Sequence, residues 1–531
     1  MTPIDTAALD RALTQLPGQF RGPAGVAGVV KDGQVIARSA WGYADMATRL
    51  PMTVGTRLPI CSISKQMTCA LLLDLFDGPE VLDPLLPALL PNLAGPRPTV
   101  AHLCHNQSGL RDYWAQTVLQ GAAPEGVCTL DTGLALIGRA RSLHFAPGTG
   151  YSYSNGNFRL LAELIARAAG RPFADLLKER VFDRAGMRTA VLSPDTALPL
   201  DGVVGHEGND ETGFLPARTA IHWLGDAGVS ASLDDMLAWE CHIDATRDDP
   251  AGLYARISAP VQFASGRPAS YGYGLRREVL AGHAVTSHGG ALRGFSAHRL
   301  HVAAERLSVV VMFNHEAGAM RAAWALLEAA LGCTVLPDPA PGQGWGGLWL
   351  DPVQGLLLRL TDLPAGVRLH YGTTPALLSP APDGTLRGGD VVVRRAGDGL
   401  VMERPGEDLR VTAVPVAPVA WADPAPLAGR YHSAELDAEL EITAGGGAAY
   451  AVFTGLFGTG PAERMYPLGE DLWVISTRRS MDSAPPGEWT VQLRRDGAGA
   501  VVGLRLGCWL ARNIDYRRVG AWPPPVSRPA T

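Results

Sequence analysis

Ser62 and Lys65 stand three residues apart in the run Cys61-Ser62-Ile63-Ser64-Lys65. In a helix that spacing puts both side chains on one face, a turn apart. A serine hydroxyl is a weak nucleophile until a neighbour takes or disperses its proton. A lysine ammonium desolvated at the base of a pocket can lose its charge and become that neighbour. Composition sharpens the pair: of 46 basic residues only three are lysines, Lys31, Lys65 and Lys178. The chain uses arginine wherever a positive charge suffices, and arginine, with a pKa above about 12, cannot serve as a base near neutrality. A lysine kept three residues after a serine therefore points to chemistry, although S-x-x-K by itself also occurs on ordinary helix surfaces.

Two more groupings could join that pair. The turn Phe145-Ala146-Pro147-Gly148-Thr149-Gly150 delivers Tyr151-Ser152-Tyr153-Ser154-Asn155-Gly156-Asn157. In an extended segment Tyr153 and Asn155 point the same way. A phenol can shuttle a proton beside an ammonium, and an asparagine can hold a substrate carbonyl or a lysine. Ordinary turn chemistry explains the same residues. The third grouping is Thr286-Ser287-His288-Gly289-Gly290-Ala291 within strand-like surroundings. Two glycines after His288 allow close approach to the backbone and free N–H groups for an oxyanion. A lone histidine in a strand is also a common structural residue.

The elements that must position these groups are legible in outline. Around Ser62, Ile63, Met67, Ala70, Leu71 and Leu75 recur at helical steps, with Leu72, Leu73 and Phe76 on the other faces, so a buried helix opening at Ser62 is expected. Asp74 breaks its stripe without an evident reason. Further helices are read at 5–16, 158–169 and 316–331, and Ser232-Leu233-Asp234-Asp235 is an N-cap signature. Lys31-Asp32-Gly33-Gln34 between two apolar runs is a hairpin turn, with Lys31 expected in solvent. From Gly342 alternating runs such as Val367-Arg368-Leu369 and Leu409-Arg410-Val411 replace helical periodicity, which is the all-β pattern. A Pro-rich linker over 414–426 divides this part into two blocks, each read as a small antiparallel barrel. The expected organisation is 1–335 for the chemistry, barrels at 345–417 and 418–520, and a disordered tail over 521–531.

The charge balance, 46 basic against 52 acidic residues, is −6, which argues against nucleic-acid binding. No apolar run reaches the about 18 residues of a membrane span. The N-terminus lacks the pattern of a secretory leader, and seven scattered cysteines with no C-x-x-C make neither a disulfide framework nor a zinc site. A cytoplasmic protein is expected.

The three groupings, in this order, resemble the penicillin-recognising serine hydrolases, and Y-x-N places the likeness in the class C β-lactamase and D-alanyl-D-alanine carboxypeptidase branch. One such domain followed by two barrels is similar to the D-stereospecific aminopeptidases of that branch. The resemblance implies an α+β fold, a β-lactamase-like antiparallel sheet with flanking helices, followed by two small antiparallel β-barrels. It implies an acyl-enzyme with Ser62 as nucleophile, Lys65 and Tyr153 sharing the general-base role, and Asn155 orienting the substrate amide and Lys65. His288 would bound the site, and backbone N–H groups of Ser62 and of the Gly290–Ala291 stretch would form the oxyanion hole. It implies no metal and no cofactor. The partner would be a small peptide or amino-acid amide with a free N-terminal D-residue. A homodimer is left open.

Members of the group that bind penicillin usually carry lysine at the third position, where this chain has His288. A mostly neutral imidazole pulls less on a carboxylate, which fits a substrate whose distinctive charge is an amine. A D,D-carboxypeptidase or β-lactamase, an esterase of the same fold and a non-catalytic penicillin sensor share these motifs and stay open. The stretch 477–487 exceeds the about 2–5 residues of a tight hairpin. By the same resemblance it closes the cleft, with Asp482 expected on the substrate ammonium.

Overall fold

The structure is a computed structural model and describes residues 4–335, 340–477, 480–481 and 487–520. Its organising sheet has eight antiparallel strands in the order Leu50–Pro51, Gln34–Asp45, Ala24–Lys31, Leu307–Phe313, Phe295–Val302, His283–Leu292, Leu275–Leu280 and Tyr271–Gly272. Side chains alternate across a strand, and the two central strands use both faces. Ala27, Val29, Val309 and Val311 pack with Leu9, Leu13 and Leu16 of the helix Thr6–Gln19 and with Leu326 and Leu327 of the helix Ala319–Leu331. Val26, Val30, Val310 and Met312 face the main helical layer, where Met67, Leu71, Phe158 and Leu161 lie. The turn of the first hairpin has positive φ at Asp32 (53°) and Gly33 (74°), as the favoured two-residue connection requires.

Lys31 is not in solvent. It ends the strand Ala24–Lys31, its side chain is 11% exposed, and its Nζ lies 3.0 Å from Asp32. The helix around Lys65 is buried from Ser64 through Leu73. Asp74, near its end, meets Arg180 Nε at 2.7 Å and also Arg184, so the break in the apolar stripe is an ion pair with a distant helix. The N-cap expected at Ser232 forms a capping box with Asp235 ahead of the helix Leu233–Ala245.

Eight strands from Gly347–Asp351 to Leu409–Pro415 form a closed barrel, the first strand pairing with the last through Trp349 opposite Pro415. The following strands, Gly429–Ser433 through Ala511–Gly520, make a second ring, closed where Ala438–Gly445 pairs with Ala448–Gly455. Trp349 and Tyr431, which open the two blocks, are both buried in their own cores. Closure removes the free edges that short antiparallel strands would otherwise expose. The fold is therefore the expected α+β sheet-and-helix unit followed by two barrels. The tail 521–531 lies outside the described residues.

The last barrel is seated on the helical layer. Gln120 donates from Nε2 to Leu436 O (2.8 Å) and accepts at Oε1 from Leu456 N (2.8 Å). The Phe457 amide donates to Gln120 O. Gly121 admits this contact, because a Cβ there would fall 2.1 Å from Gly458 O.

Candidate active site

Ser62 sits in a 3₁₀ turn, Cys61–Ile63, and the α-helix begins only at Ser64. The expectation that Ser62 opens the α-helix itself is corrected by the backbone. Cys61 has φ +51°, a left-handed conformation that costs an L-residue about 1 kcal/mol. The turn is braced on both sides. Ile60 N donates to Val229 O (3.0 Å), and Ser64 Oγ donates to Cys61 O (2.6 Å) while accepting from Val229 N (3.3 Å). Cys61 is fully buried with Sγ 3.4 Å from Pro59 O, whereas Ser62 is partly exposed.

Lys65 is fully buried. Its Nζ donates to Ser62 Oγ (2.9 Å), Asn155 Oδ1 (2.8 Å) and the Asp226 carbonyl (2.5 Å), and it stands 5.0 Å from the centre of the Tyr153 ring. Two of these oxygens, the amide of Asn155 and the carbonyl of Asp226, can only accept. In the uncharged amine they hold the two N–H groups, and the third direction, toward Ser62 Oγ, is where the lone pair falls. Tyr153 and Asn155 do not share an extended segment. Ser154 is the N-cap and Asn155 the first residue of the helix Asn155–Ala169, yet both side chains converge on Lys65.

His288 belongs to the strand His283–Leu292. Tyr271 Oη lies 3.0 Å from its Nε2, and its Nδ1 lies 2.5 Å from Gly289 O. A carbonyl can only accept, so Nδ1 carries the proton and Nε2 accepts from Tyr271. Burial, helped by the Lys65 ammonium, pushes the imidazole down to about 3, so it is neutral near pH 7. The Tyr153 ring is 6.2 Å from that of His288 and 6.1 Å from that of Tyr271. Gly290 is small for the chain's own sake: a Cβ there would lie 2.3 Å from Ile60 O and 3.0 Å from Cys61 Cβ. The strand thus lies flush against the Ser62 turn. Ala291, the next residue, is exposed and registered opposite Ser296.

Burial depresses other histidines as well, among them His105, His298 and His301 to about 3 and His315 to about 4. Between pH 6.5 and these values the unfolded chain binds protons that the folded chain does not. Stability is full above pH 6.5 and falls as pH drops toward 3–4. From pH 7 to 5 each such histidine contributes a loss of about 2 kcal/mol. The melting temperature is expected to fall by about 10 °C over that interval, read by scanning calorimetry. An unchanged value would mean that these rings take up protons over this interval in the folded chain as they do in the unfolded one.

Three site residues carry no motif and were not anticipated. Tyr271 holds His288. Asp226, fully buried, accepts Tyr113 Oη (2.8 Å) and Trp114 Nε1 (3.2 Å) on Oδ2, while its backbone carbonyl holds Lys65. Burial raises its carboxyl above the ordinary value. Asp112 accepts from Asn155 Nδ2 at 2.8 Å. The only hints in the sequence are the dense aromatics beside them, Tyr113-Trp114 and Tyr271-Gly272-Tyr273. Among the described residues no group of three or more histidine, cysteine, aspartate or glutamate side chains is disposed to hold a metal ion.

Asp482 lies outside the described residues, as do 478–479 and 483–486. The two residues before Asp482 reach the helical layer. Met481 is buried in its main core, and Arg293, just past Ala291 at the end of the His288 strand, donates to Ser480 O. Arg293 is itself held by Glu207 at 3.0 Å.

The Beta-lactamase family model matches residues 9–332, and the model for D-aminopeptidase, domain B matches residues 339–517. A D-aminopeptidase of Cereibacter sphaeroides is 56% identical over 97% of this chain and 100% of its own length. A D-aminopeptidase of Brucella anthropi is 48% identical over 98% and 100%. Among solved structures, a D-amino acid amidase from Ochrobactrum anthropi, complexed with L-phenylalanine amide, aligns with a TM-score of 0.50 and 20% identity. It covers 61% of this chain and 97% of that one, a likeness of fold.

Proposed function

Because this chain belongs to the D-aminopeptidase family, built on a β-lactamase-like domain, we propose that it releases an N-terminal D-residue from peptides, amides and esters through an acyl-enzyme on Ser62. The observation that carries the assignment is the buried amine of Lys65, 2.9 Å from Ser62 Oγ and bound by two obligate acceptors. Lys65, with Tyr153 beside it, takes the Ser62 proton as Oγ adds to the substrate carbonyl. The same proton passes to the leaving nitrogen as the C–N bond breaks. Water then attacks the ester, giving one proton back to Ser62 Oγ and releasing the free D-amino acid. Asn155 orients Lys65 and the substrate amide. The backbone N–H groups of Ser62 and Ala291 hold the oxyanion, and Gly290 supports that geometry by letting the strand meet the Ser62 turn. Neutral His288 bounds the site without attracting a substrate carboxylate. The seven cysteines, none in a disulfide, support a cytoplasmic setting, and no helix among the described residues is long and apolar enough to cross a membrane.

A panel of D-alanine p-nitroanilide, L-alanine p-nitroanilide, nitrocefin and p-nitrophenyl acetate tests the reading. Preferential turnover of the D-anilide is expected. Turnover of nitrocefin or the acetate alone would favour a β-lactamase or an esterase, and no turnover of any would favour a sensor.

In the same reading, the loop after Thr477 closes the cleft and Asp482 binds the substrate ammonium. The seat of Ser480 and Met481 on the helical layer supports this. A charge-assisted hydrogen bond of that kind contributes about 1.5–3 kcal/mol. Asp482→Asn should therefore raise KM for D-alanine p-nitroanilide about 10- to 100-fold and leave an N-acetylated substrate unaffected. Trimming 478–486 should admit N-blocked substrates. An unchanged ratio of free to N-acetylated turnover in both variants would remove the loop from specificity.

A further inference from the structure

An asparagine amide can face Lys65 with either its oxygen or its nitrogen, and only the oxygen can accept from Nζ. What decides the orientation is the group on the other side of Asn155. That group is Asp112, fully buried, whose Oδ2 lies 2.8 Å from Asn155 Nδ2. A carboxylate accepts only, so Nδ2 must point to it and Oδ1 must point to Lys65.

Asp112 is fixed in turn. Its Oδ1 caps the helix Tyr113–Leu119 by accepting from Trp114 N (2.9 Å). Its backbone N–H donates to Leu510 O (2.9 Å), in the turn joining the last two strands of the second barrel. The neighbouring Arg111, also buried, donates from Nε to Arg512 O at the start of the last strand (2.9 Å) and pairs with Glu435 of the same barrel at 3.1 Å. The backbone that carries the carboxylate is thus clamped to the last barrel.

We infer that Asp112 is a positioning residue of this enzyme: held by the last barrel, its carboxylate locks the Asn155 amide in the one orientation that supports Lys65. The inference rests on the reading above, in which Lys65 serves Ser62. It gives the last barrel a part in the chemistry separate from the loop that carries Asp482.

Two variants separate this role from the helix cap. Asparagine and serine cap helices about as well as aspartate, so Asp112→Asn and Asp112→Ser keep the cap, but neither presents an obligate acceptor to Asn155. Both are expected to lower kcat for D-alanine p-nitroanilide about 30-fold, with KM within about twofold. If Asp112 serves only as a cap, kcat stays at the wild-type value in both variants. The second readout is the cycle with Asn155→Ala. A residue acting through Asn155 has little left to do once that amide is gone, so either Asp112 substitution should add less than about threefold in that background. Factors that multiply in the double variant overturn the inference while leaving Ser62 and Lys65 in place. If Asn155→Ala alone keeps wild-type kcat, the reading of the site fails and this inference fails with it.

Discussion

Ser62→Ala is expected to lower kcat/KM for D-alanine p-nitroanilide by about 10⁵-fold or more, on the scale of removing the nucleophile from other serine hydrolases. That is about 7 kcal/mol of transition-state stabilisation. Binding and the proposed oxyanion N–H groups survive the change, so a small residual rate over water should remain. The neighbouring thiol cannot take over. The left-handed backbone at Cys61 turns Sγ toward the Pro59 carbonyl and buries it, while Ser62 stays partly exposed with Oγ 2.9 Å from Lys65 Nζ. Burial, not position around a regular helix, is what separates the two side chains. A slowly hydrolysed D-amino acid ester should therefore leave its acyl group on Ser62 when the intact enzyme is quenched and mapped by mass spectrometry. Acylation of Cys61, or a Ser62→Ala variant within tenfold of wild type, would remove Ser62 from the mechanism.

The parts of this molecule that were legible beforehand are those written in local pattern. Alternation in 347–415 and 429–520 announced strands, and a chain of short strands has to dispose of its edges, which both rings do by closing. The scarcity of lysine singled out Lys65, and the structure buries it with Nζ 2.9 Å from Ser62 Oγ. What stayed hidden depends on tertiary partners. Asp74 looked like a flaw because Arg180 and Arg184 are far off in the chain. Asp112 and Asp226 are single carboxylates without a motif, and only the packing of the helical layer brings them behind Asn155 and Lys65. Asn155-Gly156-Asn157 has the composition of a turn, so the pattern places the helix start at Phe158. The first turn of a helix tolerates such residues, because its N–H groups have no partner within the helix. At Cys61 nothing in the residue type signals a positive φ. The spacing S-x-x-K brings two side chains together in a 3₁₀ turn entering a helix as it would in the helix proper, so Ser62 and Lys65 meet although the turn is not the one expected.

Lys65→Arg keeps the positive charge and is nevertheless expected to cost about 10³-fold or more in kcat. Two physical effects add. The first is protonation. Proton transfer by a positioned base contributes about 10²–10⁴-fold, and a guanidinium, with a pKa above about 12, has no accessible basic form. The second is shape. The three oxygens around Nζ lie at 2.5–2.9 Å in directions suited to a tetrahedral nitrogen. A planar fork cannot address all three, and the side chain is fully enclosed, so the larger head would also strain the turn that carries Ser62. Lys65→Met separates these effects, because it fills a similar volume without charge or base. If the base is what matters, both variants are comparably inactive with KM little changed. Raising the pH should rescue neither, since neither side chain gains a lone pair as protons are removed. If the ammonium served only as a fixed charge beside Ser62, Lys65→Arg would stand well above Lys65→Met. An arginine variant within tenfold of wild type would pass the general-base role to another group, with Tyr153, whose ring lies 5.0 Å from Nζ, the one placed to receive it.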